Sequence, residues 1–301
     1  MKKKLSAISK TLKSKFFFDF DMSTFTWFRT GGKSDLFCIV SDESELEIIL
    51  NHLDHDISIF VIGVGSNVLI RDGGFRGIIL KLGKSFNVLN INNNFIYAGS
   101  SILDTNLSKF AYLNSLKDLE FYSGIPGSLG GAVKMNAGCY GHETKDVLEE
   151  VSLIKKNGTK KIIKNHDLEL SYRNSNLSDN DIIISTIFKA NFGERNEIES
   201  KMSEIKLSRE NSQPIRTKTG GSTFKNPKKN FAAKLIEDSN CKGLTYGDAI
   251  VSPKHSNFLI NQGNASAKDI ETLGKIVQER VANKFNIYLD WELKIIGENV
   301  E

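Results

Sequence analysis

From residue 124 to residue 141 the chain reads Gly-Ile-Pro-Gly-Ser-Leu-Gly-Gly-Ala-Val-Lys-Met-Asn-Ala-Gly-Cys-Tyr-Gly, six glycines in 18 residues. Glycine loses more backbone entropy on folding than any other residue, so this density belongs where backbone must approach something closely. A flexible surface loop fits poorly, because Ile125, Leu129, Val133 and Met135 are apolar. Ser128 is placed to cap a short helix running through Asn136, whose first N–H groups would face a diphosphate. A second loop, Gly63-Val64-Gly65-Ser66-Asn67, follows the apolar run 57–62, which reads as a buried strand. It imitates a dinucleotide-binding fingerprint but lacks the third glycine. Val68-Leu69-Ile70 and then Asp72-Gly73-Gly74 read as strand and turn where that fingerprint needs a helix. Small residues in a tight loop still expose successive N–H groups, and such a nest binds phosphate oxygens; a plain connection between strands is the alternative. Two separated loops of this kind point to a dinucleotide lying across the domain.

The chain's 301 residues suffice for about two or three compact domains. Its 40% hydrophobic and 25% charged residues are the balance of an ordinary soluble globular protein. A net charge of +4 suits anionic small ligands, but there is no basic stripe of the kind nucleic acid requires. Lys2, Lys3 and Lys4 read as a solvated terminus. Cys38, Cys139 and Cys241 are odd in number, far apart and without a CxxC pair, so neither a metal nor a disulfide framework is expected. The apolar Phe16-Phe17-Phe18 is interrupted by Asp19 and Asp21, and no apolar run reaches the roughly 18 residues of a membrane span. No signal peptide and no membrane partner are expected, and a cytoplasmic location follows by default.

Asp42 and Glu45 have capping-box spacing, and Leu46, Ile49, Leu50 and Leu53 follow at helical spacing. Asn157-Gly158, between 151–155 and 160–163, predicts a hairpin with a type I′ turn. Residues 182–190 read as a strand, and Ile198, Met202 and Ile205 mark a helix. Ser266 and Asp269 resemble a second capped start; Ile270, Leu273, Val277, Val281 and Phe285 share one face of a long helix. From 289 to 295, Leu289, Trp291, Leu293 and Ile295 alternate with Asp290, Glu292 and Lys294, a half-buried strand pattern. Helices mixed with a hairpin exclude a purely parallel sheet and give an α+β or mixed α/β class, with a boundary in the polar stretch near residue 195.

Several stretches, in order, carry a family resemblance. They are Thr26-Trp27-Phe28-Arg29-Thr30-Gly31-Gly32; 63–69; Ser123 through Val133; Met135-Asn136-Ala137-Gly138; Tyr172-Arg173; Gly221-Ser222-Thr223-Phe224-Lys225-Asn226-Pro227; 255–261; and Trp291-Glu292-Leu293-Lys294-Ile295-Ile296-Gly297. With these the chain closely resembles the UDP-N-acetylenolpyruvoylglucosamine reductase family (MurB). The resemblance implies an α+β fold: an FAD-binding domain of the vanillyl-alcohol-oxidase (PCMH) type in two subdomains, plus a C-terminal α/β substrate-binding domain covering the flavin ring. The implied domains are a segment 1–22, an FAD domain 23–195 (subdomains about 23–82 and 83–195), and a substrate domain 196–301. By motif match, Gly63, Gly65, Ser66, Asn67, Gly124, Pro126, Gly127, Gly130, Gly131 and Gly138 lie along FAD.

The family's reaction passes a hydride from NADPH, through the flavin, to the methylene carbon of the enolpyruvyl ether of UDP-N-acetylglucosamine. A proton then completes the lactyl ether. Ser222 matches the proton donor, Arg173 the arginine that stabilises the enolate, and Glu292 the C-terminal catalytic glutamate. From the residues alone, Ser222 reads as a turn residue after Gly220-Gly221 and Arg173 as a surface salt-bridge partner, while Glu292 fits either the solvent face of an amphipathic strand or a cleft over that face. Tyr140, Tyr172, Lys225 and Asn226 are candidate contacts to the sugar nucleotide, whereas His255 and Asn257 read as structural. Only 49 positions separate Arg173 from Ser222. That leaves no room for the tyrosine-bearing insertion of longer members, so the resemblance is to the shorter subtype. The expected partner is the small-molecule substrate and the expected state a monomer. Two other readings are an oxidase of sugars or alcohols on the same flavoprotein fold and an inactive nucleotide-binding module. The latter would be expected to lose one of the three catalytic matches.

Overall fold

In a computed structural model, residues 2–300 are described; the side chains of Lys2 and Lys3, two of the three N-terminal lysines, lie outside that description. The chain forms two compact units that alternate along the sequence. One comprises the chain up to Phe18, Leu36–Gly63 and Gly77–Ser208; the other comprises Asp19–Asp35, Val64–Arg76 and the chain from Arg209.

The first unit holds a five-stranded antiparallel sheet in the order Lys160–Lys164, Leu148–Lys155, Asp181–Lys189, Phe95–Gly99, Leu89–Asn92. Its core gathers Val151, Leu153, Ile183 and Phe188 from the strands with Leu107 and Ala111 of the helix Asp104–Leu113 and Leu129 and Val133 of the helix Leu129–Lys134. Each of these Val, Leu, Ile or Phe side chains, fully buried, stabilises the fold by about 1.5–3 kcal/mol. The expected hairpin is present, with Ile154 opposite Lys160. Its turn is not type I′, because Gly158 takes a positive φ of 79° and Asn157 does not. Gly158 N–H closes a turn onto the Lys155 carbonyl at 2.8 Å, so the connection is a turn followed by a left-handed glycine.

A second sheet runs in the order Lys15–Asp21, Lys33–Val40, Phe75–Leu82, Ile59–Val61, the last pair parallel. The helix Glu43–Asn51 buries Leu46, Ile49 and Leu50 in the same core as Leu36, Cys38, Ile78 and Leu80. Only half of the expected capping box forms. Asp42 accepts from Glu45 N–H at 3.0 Å, but the Glu45 carboxylate accepts from the N–H groups of Lys13 and Ser14, both at 2.7 Å.

In the second unit an antiparallel sheet runs Lys218–Ser222, Phe258–Asn261, Ala249–Val251, Thr245–Tyr246. The helix Ala267–Phe285 starts with the complete Ser266/Asp269 capping box and buries Ile270, Leu273, Val277 and Val281. The stretch 289–295 buries Leu289 and Leu293 as its alternation predicts, but regular strand is confined to Lys294–Ile296, paired in parallel with Val68–Ile70. Val68–Ile70 is a strand, as expected of the residues after the first glycine loop. Cys38, Cys139 and Cys241 are free thiols. Among the described residues no helix is long and apolar enough to cross a membrane.

Candidate active site

In the first unit Gly63 meets the second glycine-rich stretch. A Cβ added to Gly63 would lie 2.2 Å from Ser128 Oγ, so only a glycine permits this close approach between the first residue of the 63–67 loop and Ser128. The Lys81 ammonium donates to the Gly63 carbonyl at 3.2 Å, and burial pulls its pKa below the usual lysine value. The helix after Ser128 is shorter than expected, Leu129–Lys134, and the Ser128 side chain does not cap it. The N–H groups of Leu129 and Gly130 donate to the carbonyls of Ile102 and Ser100 at 3.0 and 2.9 Å. Those two donors are therefore spent on the protein's own backbone, which corrects the expectation that the helix's first N–H groups all face a ligand.

Gly124 packs against Cys139, Tyr140 and Ile205, and the exposed Tyr140 donates its hydroxyl to the Ile205 carbonyl at 3.3 Å. Arg173 and Tyr140 both hold left-handed backbone, with φ of 53° and 54°. In non-glycine residues this conformation is uncommon and tends to collect at functional sites. Arg173 Nη2 donates to the Gly138 carbonyl at 2.8 Å, and its guanidinium stands 5.0 Å from the centre of the exposed Tyr172 ring. The arginine is thereby fixed to the end of the glycine-rich stretch. Asn136, a motif residue that carries no functional signal in the sequence, organises this region: fully buried, it donates to Glu143 Oε2 and the Ser171 carbonyl, both at 3.0 Å, and accepts from Lys145 N–H.

In the second unit, Ser222 ends its strand just after a register shift that begins at Thr219. Gly221 supplies the positive φ of 79° that this bulge needs, and bulges re-aim the side chains that follow them. Thr223 carbonyl accepts from Glu292 N–H at 2.9 Å, and Asn67 Nδ2 donates to the Glu292 carbonyl at 3.0 Å. Asn67, the residue following Ser222 and Glu292 thus form one hydrogen-bonded junction. Gly65, with φ of 70°, receives Trp27 N–H on its carbonyl, so the Thr26–Trp27 motif packs on the first glycine loop; Ser66 lies between Gly65 and Asn67.

Lys225 joins the same junction through its N–H to Asp290, while the exposed Asn226 accepts from Ala232 N–H at the start of the helix Ala232–Asp238. His255 and Asn257 have structural partners. Asn257 accepts from Phe224 N–H and donates to the Phe224 carbonyl, and His255, its pKa lowered by burial, stacks edge-on to Phe258.

Residues 213–296 match the family model described as UDP-N-acetylenolpyruvoylglucosamine reductase, C-terminal domain, and residues 34–163 match that of an FAD binding domain. The UDP-N-acetylenolpyruvoylglucosamine reductase of Caulobacter vibrioides is 44% identical over 290 residues, 95% of this chain and 96% of that protein. That of Rickettsia conorii is 40% identical over 281 residues, 93% and 95% of the two chains. The crystal structure of the reductase (MurB) from Thermus caldophilus superposes with a TM-score of 0.82 at 30% identity, covering 94% of this chain and 99% of that one. The chain belongs to the UDP-N-acetylenolpyruvoylglucosamine reductase family.

Its FAD-binding, α+β architecture agrees with the expected class. The first unit fits the cofactor on its own chemistry. Buried side-chain oxygens of Ser100 and Ser123 lack hydrogen-bond partners beside the 124–131 stretch. A family member with Gly63 closed on Ser128 and polar groups of this kind has both the close backbone and the unsatisfied atoms that a flavin nucleotide would use.

Proposed function

We propose that this chain uses NADPH to reduce the enolpyruvyl ether of UDP-N-acetylglucosamine to UDP-N-acetylmuramate for peptidoglycan synthesis, acting in the cytoplasm as a monomer. The observation that carries the residue assignment is the junction of Asn67, Thr223 and Glu292 immediately beside Ser222. When bound, FAD supplies the hydride, taken from NADPH and given to the methylene carbon. Ser222 gives the proton to the carbon next to the carboxylate. Its hydroxyl is fully protonated at neutral pH, and the bulge at Gly221 sets its direction. Glu292, tied to Thr223 through its own backbone, is assigned as the second catalytic group, positioned with Ser222 by the same hydrogen bonds.

In the first unit Arg173 provides a cation that cannot lose its proton and a planar fork matched to a carboxylate, where charge builds up during reduction. Its tie to Gly138 keeps that fork from wandering. Gly63, Gly124, Pro126, Gly127, Gly130, Gly131 and Gly138 of the first unit, and Gly65, Ser66 and Asn67 of the second, are assigned to FAD. Tyr140, Tyr172, Lys225 and Asn226 are assigned to the sugar nucleotide, Asn226 only through what its helix-starting hydrogen bond leaves available. A linear division into 1–22, 23–195 and 196–301 is retained as the functional one. Between Arg173 and Ser222 the regular elements are Asp181–Lys189, Asn191–Phe192, Arg195–Ser212 and Lys218–Ser222, which supports the shorter subtype.

The oxidase reading is not favoured, since the curated relatives are reductases. The test is to incubate the purified protein with NADPH and the enolpyruvyl substrate and to weigh the product. Acceptor-dependent loss of NADPH with a product heavier by two hydrogens supports the proposal. Oxygen-dependent oxidation of a sugar or alcohol, with the enolpyruvyl ether untouched, contradicts it.

A further inference from the structure

Beneath the second glycine-rich stretch lies a carboxyl group that the roles above leave unused. Asp104 opens the helix Asp104–Leu113 and is 0% exposed. Neither carboxyl oxygen has a hydrogen bond of full geometry, and the one donor close enough to act on the carboxyl is the Gly127 N–H. Its backbone is laced to the stretch. Asp104 N–H donates to the Gly127 carbonyl at 3.2 Å, Leu103 forms a bridge with Ser128, and Ile102 and Ser100 accept from Leu129 and Gly130. A Cβ added to Gly127 would lie 2.5 Å from Asp104 Oδ2, so the carboxyl fills the space that the glycine leaves.

An ionised carboxylate here would lose its hydration with no cation to replace it. Burial drives its pKa well above the usual carboxylate range and outweighs the opposing pull of the Gly127 N–H. It would also set a negative charge under a backbone assigned to an anionic diphosphate. The un-ionised acid avoids both penalties, because it carries no charge while its C=O can still accept from the Gly127 N–H.

We propose that Asp104 is a positioning residue of the cofactor site, its un-ionised carboxylic acid bracing the Gly127 peptide and so fixing the 127–131 backbone that holds the flavin nucleotide. The inference rests on the FAD-reductase reading. It makes Gly127 obligatory from below as well as from the ligand side, and it makes the charge state of Asp104 a condition of cofactor affinity.

The experiment strips the flavin, returns FAD to the full-length protein, and reads affinity from quenching of flavin fluorescence. Asp104→Asn, which copies the neutral acid, is expected to bind FAD within about threefold of wild type, whereas Asp104→Leu, which fills the space without hydrogen bonding, binds about tenfold more weakly. An infrared difference spectrum of wild type against Asp104→Asn at neutral pH is expected to show the C=O stretch of an un-ionised carboxyl. Equal affinity of Asp104→Leu and wild type, a tenfold loss in Asp104→Asn, or an ionised carboxylate in the infrared spectrum each overturns the proposal. The last two stand even if Asp104→Leu fails to fold. A wild-type protein that binds no FAD at all overturns the FAD-reductase reading itself, and this inference with it.

Discussion

Removing the Asn257 amide should cost far more than a side chain without catalytic contacts would suggest. Asn257 is 4% exposed and grips a single buried residue at both ends: Oδ1 takes Phe224 N–H at 3.0 Å and Nδ2 gives to the Phe224 carbonyl at 2.8 Å. Phe224 is 1% exposed, so water cannot take over either role. Asn257→Ala therefore orphans one buried donor and one buried acceptor, each worth roughly 1–3 kcal/mol, for a loss of about 2–6 kcal/mol. The assay is urea unfolding of the flavin-free protein, in which the midpoint should fall with the slope unchanged. Because Thr223 and Phe224 directly follow Ser222, turnover should fall in the folded mutant while NADPH still bleaches the flavin. A loss under about 0.5 kcal/mol with normal turnover would refute the claim that Asn257 builds the Ser222 segment.

Ser222→Ala should retain flavin reduction by NADPH but lose overall turnover by about 10²–10⁴-fold, as stopped-flow measurement of the two half-reactions would show. Gly63→Ala places a methyl 2.2 Å from Ser128 Oγ, so FAD affinity by fluorescence titration should fall about tenfold and recover in part when Ser128→Ala is added. Glu271 accepts from Arg71 at 2.8 and 3.1 Å, which together with Lys275 holds its carboxyl below the usual carboxylate range. A depressed folded-state pKa gives stability that is fully present above the unfolded value of about 4.3 and lost as pH falls through the folded value. Glu271→Gln should therefore be less stable than wild type at neutral pH and show a flatter acid limb in pH-dependent denaturation.

The helix Ala267–Phe285 was readable because its capping box and apolar stripe are local and agree. Asp42 was readable as a cap for the same reason, but the other half of the box was not. Glu45 reaches residues about 30 positions earlier, a partnership made by packing alone. Asn157 shows the limit of turn statistics: Asn-Gly permits a type I′ turn without requiring it. The alternation at 289–295 foretold burial correctly, yet the ladder forms only where Val68–Ile70 supplies a partner. No periodicity reports that 19–35 and 64–76 group with the chain after 209.

For the site, Ser222, Arg173 and Glu292 stood out by resemblance, since each read by itself as an ordinary turn, surface or strand residue. The bulge at Gly221 left a trace in the Gly220-Gly221 pair. Asn136 lies inside the Met135-Asn136-Ala137-Gly138 motif, and Lys81 interrupts the apolar run 78–82, a signal visible in the sequence. Asp104 gave none, for an acidic residue in the first turn of a helix is normally solvated, and its burial appears only once 127–130 packs over it.

The most direct test is an anaerobic absorbance spectrum of the purified protein, titrated with NADPH and then with UDP-N-acetylglucosamine enolpyruvate. The account predicts a flavin band that bleaches with NADPH and returns promptly on adding the enolpyruvyl ether. A band that bleaches and stays bleached, or folded protein that takes up no flavin, would contradict it.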